Sequence, residues 1–194
     1  SVLILGDNIF YGNNLPSRLL KISKSENEAT VFVYPVKDPS QYGVINFNQQ
    51  KKIISIEEKP SFPKSNYAIT GLYFYDQNVI EIAKSLNPSA RGELEITDLN
   101  KVYLESNLLN VEFMGRGDTW LDAGSSDTFM AASQFIQTIE NRQGLKISCL
   151  EEIAWNYGWI DSNKLEQLAL KISHSDYGKY LMNLLDYKVK NDIF

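Results

Sequence analysis

The sequence predicts an α/β domain followed by a helical appendage, and three observations carry that expectation. Short stretches rich in apolar residues alternate with stretches of helical spacing as far as residue 124. Several of the short stretches are dense in β-branched and aromatic residues, which favour strands. After Gly124 every remaining stretch reads as helix. Strands interleaved with helices point to a mostly parallel sheet covered by helices. The expected division is therefore an α/β part over 1–124 and a helical part over 125–194.

The elements follow in order. Residues 2–5 (VLIL) are apolar and too few for a helix, so they read as a buried strand running into Gly6-Asp7-Asn8. Residues 15–24 place Leu15, Leu19 and Ile22 at helical spacing. Residues 29–36 (ATVFVYPV) form a strand. Residues 42–47 and 53–57 flank the polar NQQKK and predict a hairpin. Residues 67–75 (YAITGLYFY) give another strand, after which Asp76 caps a helix to about Leu86, ended by Asn87-Pro88. A helix is expected over 95–105, with short strands over 110–114 and 119–121. In the appendage, Ser125 or Ser126 caps a helix to about Arg142, with Phe129, Ala132, Ile136 and Ile139 on one face and Gly144 as terminator. Ser148-Cys149-Leu150-Glu151 matches a capping box and opens a helix that stops at Gly158. Further helices start at Asp161 or Ser162, and at Asp176.

Composition narrows the function classes. The chain has 194 residues, 43% hydrophobic and 22% charged, enough for a real core in one domain, or one domain and a small appendage. A net charge of −5 argues against broad binding to nucleic acid or an anionic membrane, but leaves room for a local basic pocket for a small phosphate ligand. One cysteine, Cys149, cannot form an internal disulfide, and one histidine, His174, cannot build a multi-histidine metal site. Both fit a reducing cytoplasm. No apolar run is long enough for a membrane span, and no signal peptide is expected.

Four stretches carry residues suited to chemistry. Asp7 and Asp122 each end an apolar strand beside a glycine, in LGDN and WLDAG. Ligands of α/β sheets bind beyond strand ends, and a carboxylate there can hold Mg²⁺, a hard ion that prefers oxygen. Each aspartate alone reads equally as a turn residue; two of them raise the odds of a shared ligand. EEKP follows the hairpin strand, and alternation puts Glu57 and Glu58 on opposite faces, so only one can share a side with Asp7. Lys59 suits a phosphate, as does Arg91 in PSARGELEITD. The alternative for both is a solvated surface loop. No Ser-His-Asp set and no zinc spacing occur.

Taken together, LGDNIFYG, QYGVINF, ISIEEKP, SNYAITGLYFYD, PSARGELEITDLN, GRGDTWLDAG and IENRQGLKISCLEEIA, in that order, resemble the sugar-nucleotide pyrophosphorylases across essentially the whole chain. The resemblance is to those members that join dTTP and glucose 1-phosphate into dTDP-glucose and pyrophosphate, using Mg²⁺. It implies a Rossmann-like mixed sheet flanked by helices. By resemblance, Asp7 and Asp122 are the metal carboxylates, and Lys59 and Arg91 hold the sugar phosphate and act in catalysis. Glu58, with the backbone at Gly43 and Ile69, reads sugar hydroxyls, and Tyr42 and Tyr73 line the sugar pocket. A second, regulatory site for a dTDP-sugar would use Tyr11, Gly12, Arg116, Lys146, Ser148, Cys149, Glu152 and Ile153. For several of these a plain structural role stands beside the regulatory one: Ser148 is also a helix cap, and Cys149 suits a small buried position. The family also implies a homotetramer.

The family's glycine-rich loop, G-G-x-G-T-R-L, has no counterpart in this sequence, and neither do its base-reading residues. The chain is therefore expected to be the C-terminal part of a longer enzyme, without the N-terminal part of the sheet and inactive alone. Two alternatives stay open: another hexose-1-phosphate nucleotidylyltransferase, or a non-catalytic module that binds a sugar phosphate or nucleotide.

Overall fold

The computed structural model describes residues 1–89 and 91–187. Ala90 and the stretch 188–194, which the sequence reading includes in the appendage, lie outside the described residues. The chain divides into two compact units, Ser1–Ala132 and Ser133–Phe194. No helix among the described residues is long and apolar enough to cross a membrane.

The first unit contains β1 (Val2–Ile4), β2 (Asn8–Gly12), α1 (Leu15–Ile22), β3 (Ala29–Pro35), β4 (Gly43–Phe47), β5 (Ile53–Glu58) and β6 (Tyr67–Phe74). It continues through α2 (Val79–Ser85), α3 (Ile96–Glu105), β7 (Leu109–Phe113) and β8 (Asp118–Asp122), and ends within α4 (Ser126–Gln143). One sheet has the order β5-β4-β6-β3-β7, with β1 also paired to β6; β2 and β8 form a separate two-stranded ribbon.

The apolar runs of β3 and β6 explain the layering. Ala29, Val31 and Val33 of β3, with Ile69 and Tyr73 of β6, enter one core beside Leu99 and Tyr103 of α3. Phe32, Ala68, Leu72 and Phe74 enter a second core beside Leu15 of α1 and Trp120 of β8. Alternation thus divides each strand between two cores, and strands buried on both faces read as continuous apolar segments. Each fully buried aliphatic or aromatic side chain contributes roughly 1.5–3 kcal/mol.

The structure corrects several expectations. The sheet is mixed, as the resemblance implies, and not mostly parallel as the interleaving suggests: β3 and β7 run parallel, whereas β1–β6, β3–β6, β4–β5 and β4–β6 are antiparallel. Interleaved helices show that the sheet is covered; they do not set strand direction. The strand at the N-terminus is not buried, since Val2, Leu3, Ile4 and Leu5 are 41–58% exposed. It pairs with β6 through its backbone, and the described residues leave its side chains open. Residues 8–12, which the sequence left unassigned, form β2. The α2 helix starts at Val79, later than an Asp76 cap requires. Asp76 Oδ1 instead accepts from the Asn78 N–H at 3.0 Å and the Tyr103 hydroxyl at 2.6 Å.

The second unit holds the rest of α4 with α5 (Leu150–Asn156), α6 (Ser162–Lys171) and α7 (Asp176–Tyr187), the last three around Cys149, Leu165, Ala169 and Leu181. Asp161 caps α6 by accepting from the Lys164 N–H at 2.7 Å. The capping box expected at Ser148 does not form. The N-cap falls at Cys149, with no side-chain cap bond, and Ser148 adopts a left-handed φ of 57°.

The ribbon meets the sheet closely at Gly71. A Cβ there would stand 2.5 Å from Asn8 Oδ1 and 2.8 Å from Leu5 Cδ1. Gly71→Ala is expected to cost about 1–3 kcal/mol of stability by overpacking. Gly115→Ala, with nothing within 4 Å of its Cβ, should cost less than about 0.5 kcal/mol. Urea unfolding of the two variants measures the contrast.

Candidate functional site

A cavity of about 490 Å³ lies within the first unit. Its walls come from the β1–β2 crossing, the start of β4, the end of β5, the middle of β6, the start of α3, the end of β8 and the start of α4. Asp7, Tyr42, Gly43, Glu58, Lys59, Ile69, Tyr73 and Asp122, all nominated from the sequence, line it together.

Ribbon register brings the two aspartates close. Asn8 stands opposite Asp122, and the Asp7 carbonyl accepts from the Ala123 N–H at 2.8 Å. Each carboxylate has one oxygen engaged by a neutral donor. Asp7 Oδ1 accepts from Asn8 Nδ2 at 2.8 Å, and Asp122 Oδ1 accepts from the Tyr42 hydroxyl at 2.9 Å. The other oxygens both lie near Gly124: a Cβ there would stand 3.6 Å from Asp7 Oδ2 and 3.5 Å from Asp122 Oδ2. Two carboxylates on one cavity, each with an oxygen near Gly124, suit a hard divalent cation that takes its remaining ligands from water and phosphate. Among the described residues no three His, Cys, Asp or Glu side chains converge as an all-protein metal site.

Tyr42 packs edge-on against Trp120, with ring centroids 5.0 Å apart. Burial first, and then the Asp122 carboxylate, push its phenol up to about 12. It therefore stays protonated and donating at neutral pH. Glu58 stands opposite Gly43 in the β4–β5 register and accepts a short hydrogen bond from the Thr97 hydroxyl. Glu57 points elsewhere, bonded to Asn46 and near Lys64. Lys59 adopts a left-handed φ of 42°, and its N–H donates to the Tyr42 carbonyl at 3.0 Å. That conformation costs a non-glycine residue about 1–2 kcal/mol. Here it turns the chain at the cavity wall.

Arg91 is not among the lining residues. Its guanidinium lies 3.1 Å from Glu93, 3.5 Å from Glu95 and 4.0 Å from Glu58. Its side chain is 46% exposed, so these pairs are weak.

The residues nominated for a regulatory site divide between the units. Tyr11, Gly12 and Arg116 belong to the first. Gly12 lies so close to Asp118 that a Cβ would stand 2.3 Å from Asp118 Oδ1. Asp118 in turn pairs with Arg18 at 2.8 Å. Lys146, Ser148, Cys149, Glu152 and Ile153 belong to the second unit. Lys146 pairs with Glu140 at 2.6 Å. Cys149 is buried, which pushes its thiol up, and lies 3.2 Å from the Tyr177 hydroxyl. Glu152 accepts from the Tyr180 hydroxyl at 2.5 Å.

Sequence reasoning missed Asn8, Gly71, Thr97 and Trp120, all of which line the cavity. Asn8 and Trp120 sit in the quoted LGDN and WLDAG stretches, so alternation along an assigned β2–β8 pair would have located them.

Cavity and curled mixed sheet together define a class. A family model for nucleotidyl transferases matches residues 1–139, and the chain belongs to that family. Among individual relatives, it is 52% identical over 183 residues to a glucose-1-phosphate thymidylyltransferase of Neisseria meningitidis, covering 94% of this chain and 64% of the relative. It is 51% identical over 184 residues to the enzyme of that name in Mycobacterium tuberculosis, covering 95% of this chain and 64% of the relative. A Bacillus anthracis structure assigned as a glucose-1-phosphate thymidylyltransferase, in complex with a sucrose, is 44% identical with a TM-score of 0.61. The match covers 69% of this chain and 53% of that one. A UDP-glucose pyrophosphorylase complexed with UDP-glucose, 22% identical with a TM-score of 0.58, shares the fold over 71% of this chain and 56% of its own. The chain spans about 64% of the length of the two named curated relatives.

The Tyr42 phenol yields a pH prediction. The unfolded phenol ionises near 10, whereas the folded one waits until about 12. Its contribution to stability is therefore complete below pH 10 and lost as pH rises to about 12. Tyr42→Phe is expected to make the fall in stability over that window shallower than in wild type, measured by urea unfolding at a series of alkaline pH values.

Proposed function

We propose that this chain carries the cation-holding and sugar-phosphate-holding parts of a transferase that converts glucose 1-phosphate and dTTP to dTDP-glucose and pyrophosphate. The observation that carries the proposal is that Asp7 and Asp122, each with an oxygen near Gly124, line one cavity together with Glu58 and Lys59. The relatives' names support the choice of thymidylyl and glucosyl partners.

Each residue has a role in this reading. Lys59 places a positive charge on the sugar phosphate. Arg91 joins it by leaving its exposed pairs with Glu93 and Glu95, which cost little to break. Glu58, oriented by Thr97, accepts from sugar hydroxyls. The backbone at Gly43 and Ile69, with the rings of Tyr42 and Tyr73, walls the sugar. Asp7 and Asp122 hold Mg²⁺, which when bound neutralises charge on the phosphate oxygens. An oxygen of glucose 1-phosphate then bonds to the α-phosphorus of dTTP as the bond from that phosphorus to the β-phosphate oxygen breaks, and pyrophosphate leaves. Such transfers depend on positioning and charge neutralisation more than on covalent chemistry.

The same reading includes a dTDP-sugar at a regulatory site drawn from Tyr11, Gly12, Arg116, Lys146, Ser148, Cys149, Glu152 and Ile153, a homotetramer and a cytoplasmic setting. The resemblance alone supports the regulatory site and the tetramer, and the single cysteine and histidine support the cytoplasmic setting.

Titration calorimetry with glucose 1-phosphate tests the central assignment. Glu58→Ala and Lys59→Gly are each expected to weaken binding at least about tenfold, roughly 1.4 kcal/mol. Lys59→Gly should keep stability within about 1 kcal/mol of wild type, because glycine accepts the left-handed backbone without strain. Unchanged affinity in both variants would contradict the proposal.

A further inference from the structure

The face of α3 turned to the sheet carries a row of polar residues, Thr97, Asn100 and Tyr103, spaced three apart and so aligned along the helix. All three are at most 2% exposed. Each bonds a different point of the sheet's end. The Thr97 hydroxyl donates to Glu58 Oε2 at the end of β5. Asn100 Oδ1 accepts from the hydroxyl of Tyr75, which follows β6, at 2.7 Å. The Tyr103 hydroxyl donates to Asp76 Oδ1 at 2.6 Å. Tyr75 also stacks on Tyr73 and on Tyr103, with ring centroids 6.0 Å and 5.5 Å apart, which holds its hydroxyl in place. Thr97 lines the cavity; Asn100 and Tyr75 do not.

Stability alone does not explain the middle bond. Asn100 is fully buried, and its Nδ2 has no hydrogen-bond partner among the described residues. A buried donor left unmet is costly, and a buried polar pair can give way to apolar side chains of the same shape at little or no cost. What an apolar pair lacks is a fixed register. It tolerates a small slide or turn of the helix, whereas a slip of α3 would leave the Tyr75 hydroxyl and the Asn100 carbonyl both unmet in the core. Asn100 lies less than one turn from Thr97 on a continuous helix, so fixing one fixes the other. We infer that Asn100 is a positioning residue for sugar recognition: held by Tyr75, it sets the register of α3 so that Thr97 meets Glu58 and orients its carboxylate toward a sugar hydroxyl. The assignment rests on the proposed function, in which Glu58 accepts from the sugar.

Titration calorimetry on the full chain tests the inference, with glucose 1-phosphate and inorganic phosphate as separate probes. The double variant Tyr75→Phe, Asn100→Leu removes both polar partners and keeps side chains of similar shape. Its urea midpoint is expected to equal or exceed that of wild type. Its affinity for glucose 1-phosphate should fall about fivefold or more, while its affinity for inorganic phosphate, held by Lys59 in the proposed reading, stays within about twofold. In a Glu58→Ala background the same two changes should cost less than about twofold more, because they act through Glu58. A merely structural pair would lower the urea midpoint and leave sugar affinity as it was, or would weaken both probes together, and either pattern overturns the inference. So does a loss that persists undiminished in the Glu58→Ala background. Glu58→Ala losing glucose 1-phosphate while the double variant matches wild type overturns the role of Asn100 and leaves the proposed function standing. Glu58→Ala equal to wild type overturns both.

Tyr75→Phe alone removes one oxygen and probes the same bond with the core otherwise intact. It is expected to weaken glucose 1-phosphate binding about threefold or more, again sparing inorganic phosphate. Unchanged affinity for the sugar phosphate in this variant overturns the inference, even where the double variant does not fold.

Discussion

The site depends on the crossing at Leu5–Asn8, where the chain leaves the sheet and enters the ribbon. Gly71 grips that crossing through both of its backbone groups, and its missing Cβ is what lets Asn8 approach. From there the ribbon register follows, Asn8 opposite Asp122, and with it the meeting of two carboxylates that lie more than a hundred residues apart in sequence. Shifting the pairing of β2 with β8 by one residue would turn Trp120 out of its core and carry Asp122 away from Asp7.

Electrostatically the cavity is built for a ligand that brings both signs of charge. The side-chain hydrogen-bond partners of the Asp7 and Asp122 carboxylates are neutral, an amide and a phenol, so their charges are oriented but not cancelled. Lys59, on the same cavity, has no ion pair among the described residues, and its strained backbone holds it at the wall. A cation at the aspartates and a phosphate at the lysine would satisfy both ends. By contrast, in the second unit Lys146 is paired with Glu140, and Glu151 and Glu152 are bonded to tyrosines.

Much of this was legible in the sequence, for physical reasons that also explain the gaps. β3 and β6 announce themselves because burial on both faces demands unbroken apolar runs. The hairpin of β4 and β5 follows from a polar turn between two short strands, and α4 from a long periodic stretch closed by Gly144. Strand direction was not legible in the alternation of elements, because helices between strands say what covers a sheet and not how its strands run; only the family resemblance implied a mixed sheet. The exposure of Val2–Ile4 contradicts an apolar composition, since composition reports what a strand would bury and not what stands over it. The capping box at Ser148 failed because its pattern matches one residue too early: the thiol of Cys149 occupies the cap position. Asp7, Asp122, Glu58 and Lys59 were nominated from strand ends and land on one cavity. Arg91 was nominated from a loop, as a guanidinium suited to a phosphate, and lies off it, because a loop residue between three glutamates finds local partners first. Asn8 and Trp120 went unnoticed because an amide and an indole carry no charge to draw attention, although three hydrogen bonds pass through them.

The central claim is that Asp7 and Asp122 hold one divalent cation between them. Anomalous diffraction from a crystal of this chain soaked in Mn²⁺ tests it most directly. A single strong peak is expected, bonded to Asp7 Oδ2 and Asp122 Oδ2 at oxygen distances of about 2.0–2.2 Å. A peak elsewhere, or one bonded to only one of the two aspartates, would contradict it.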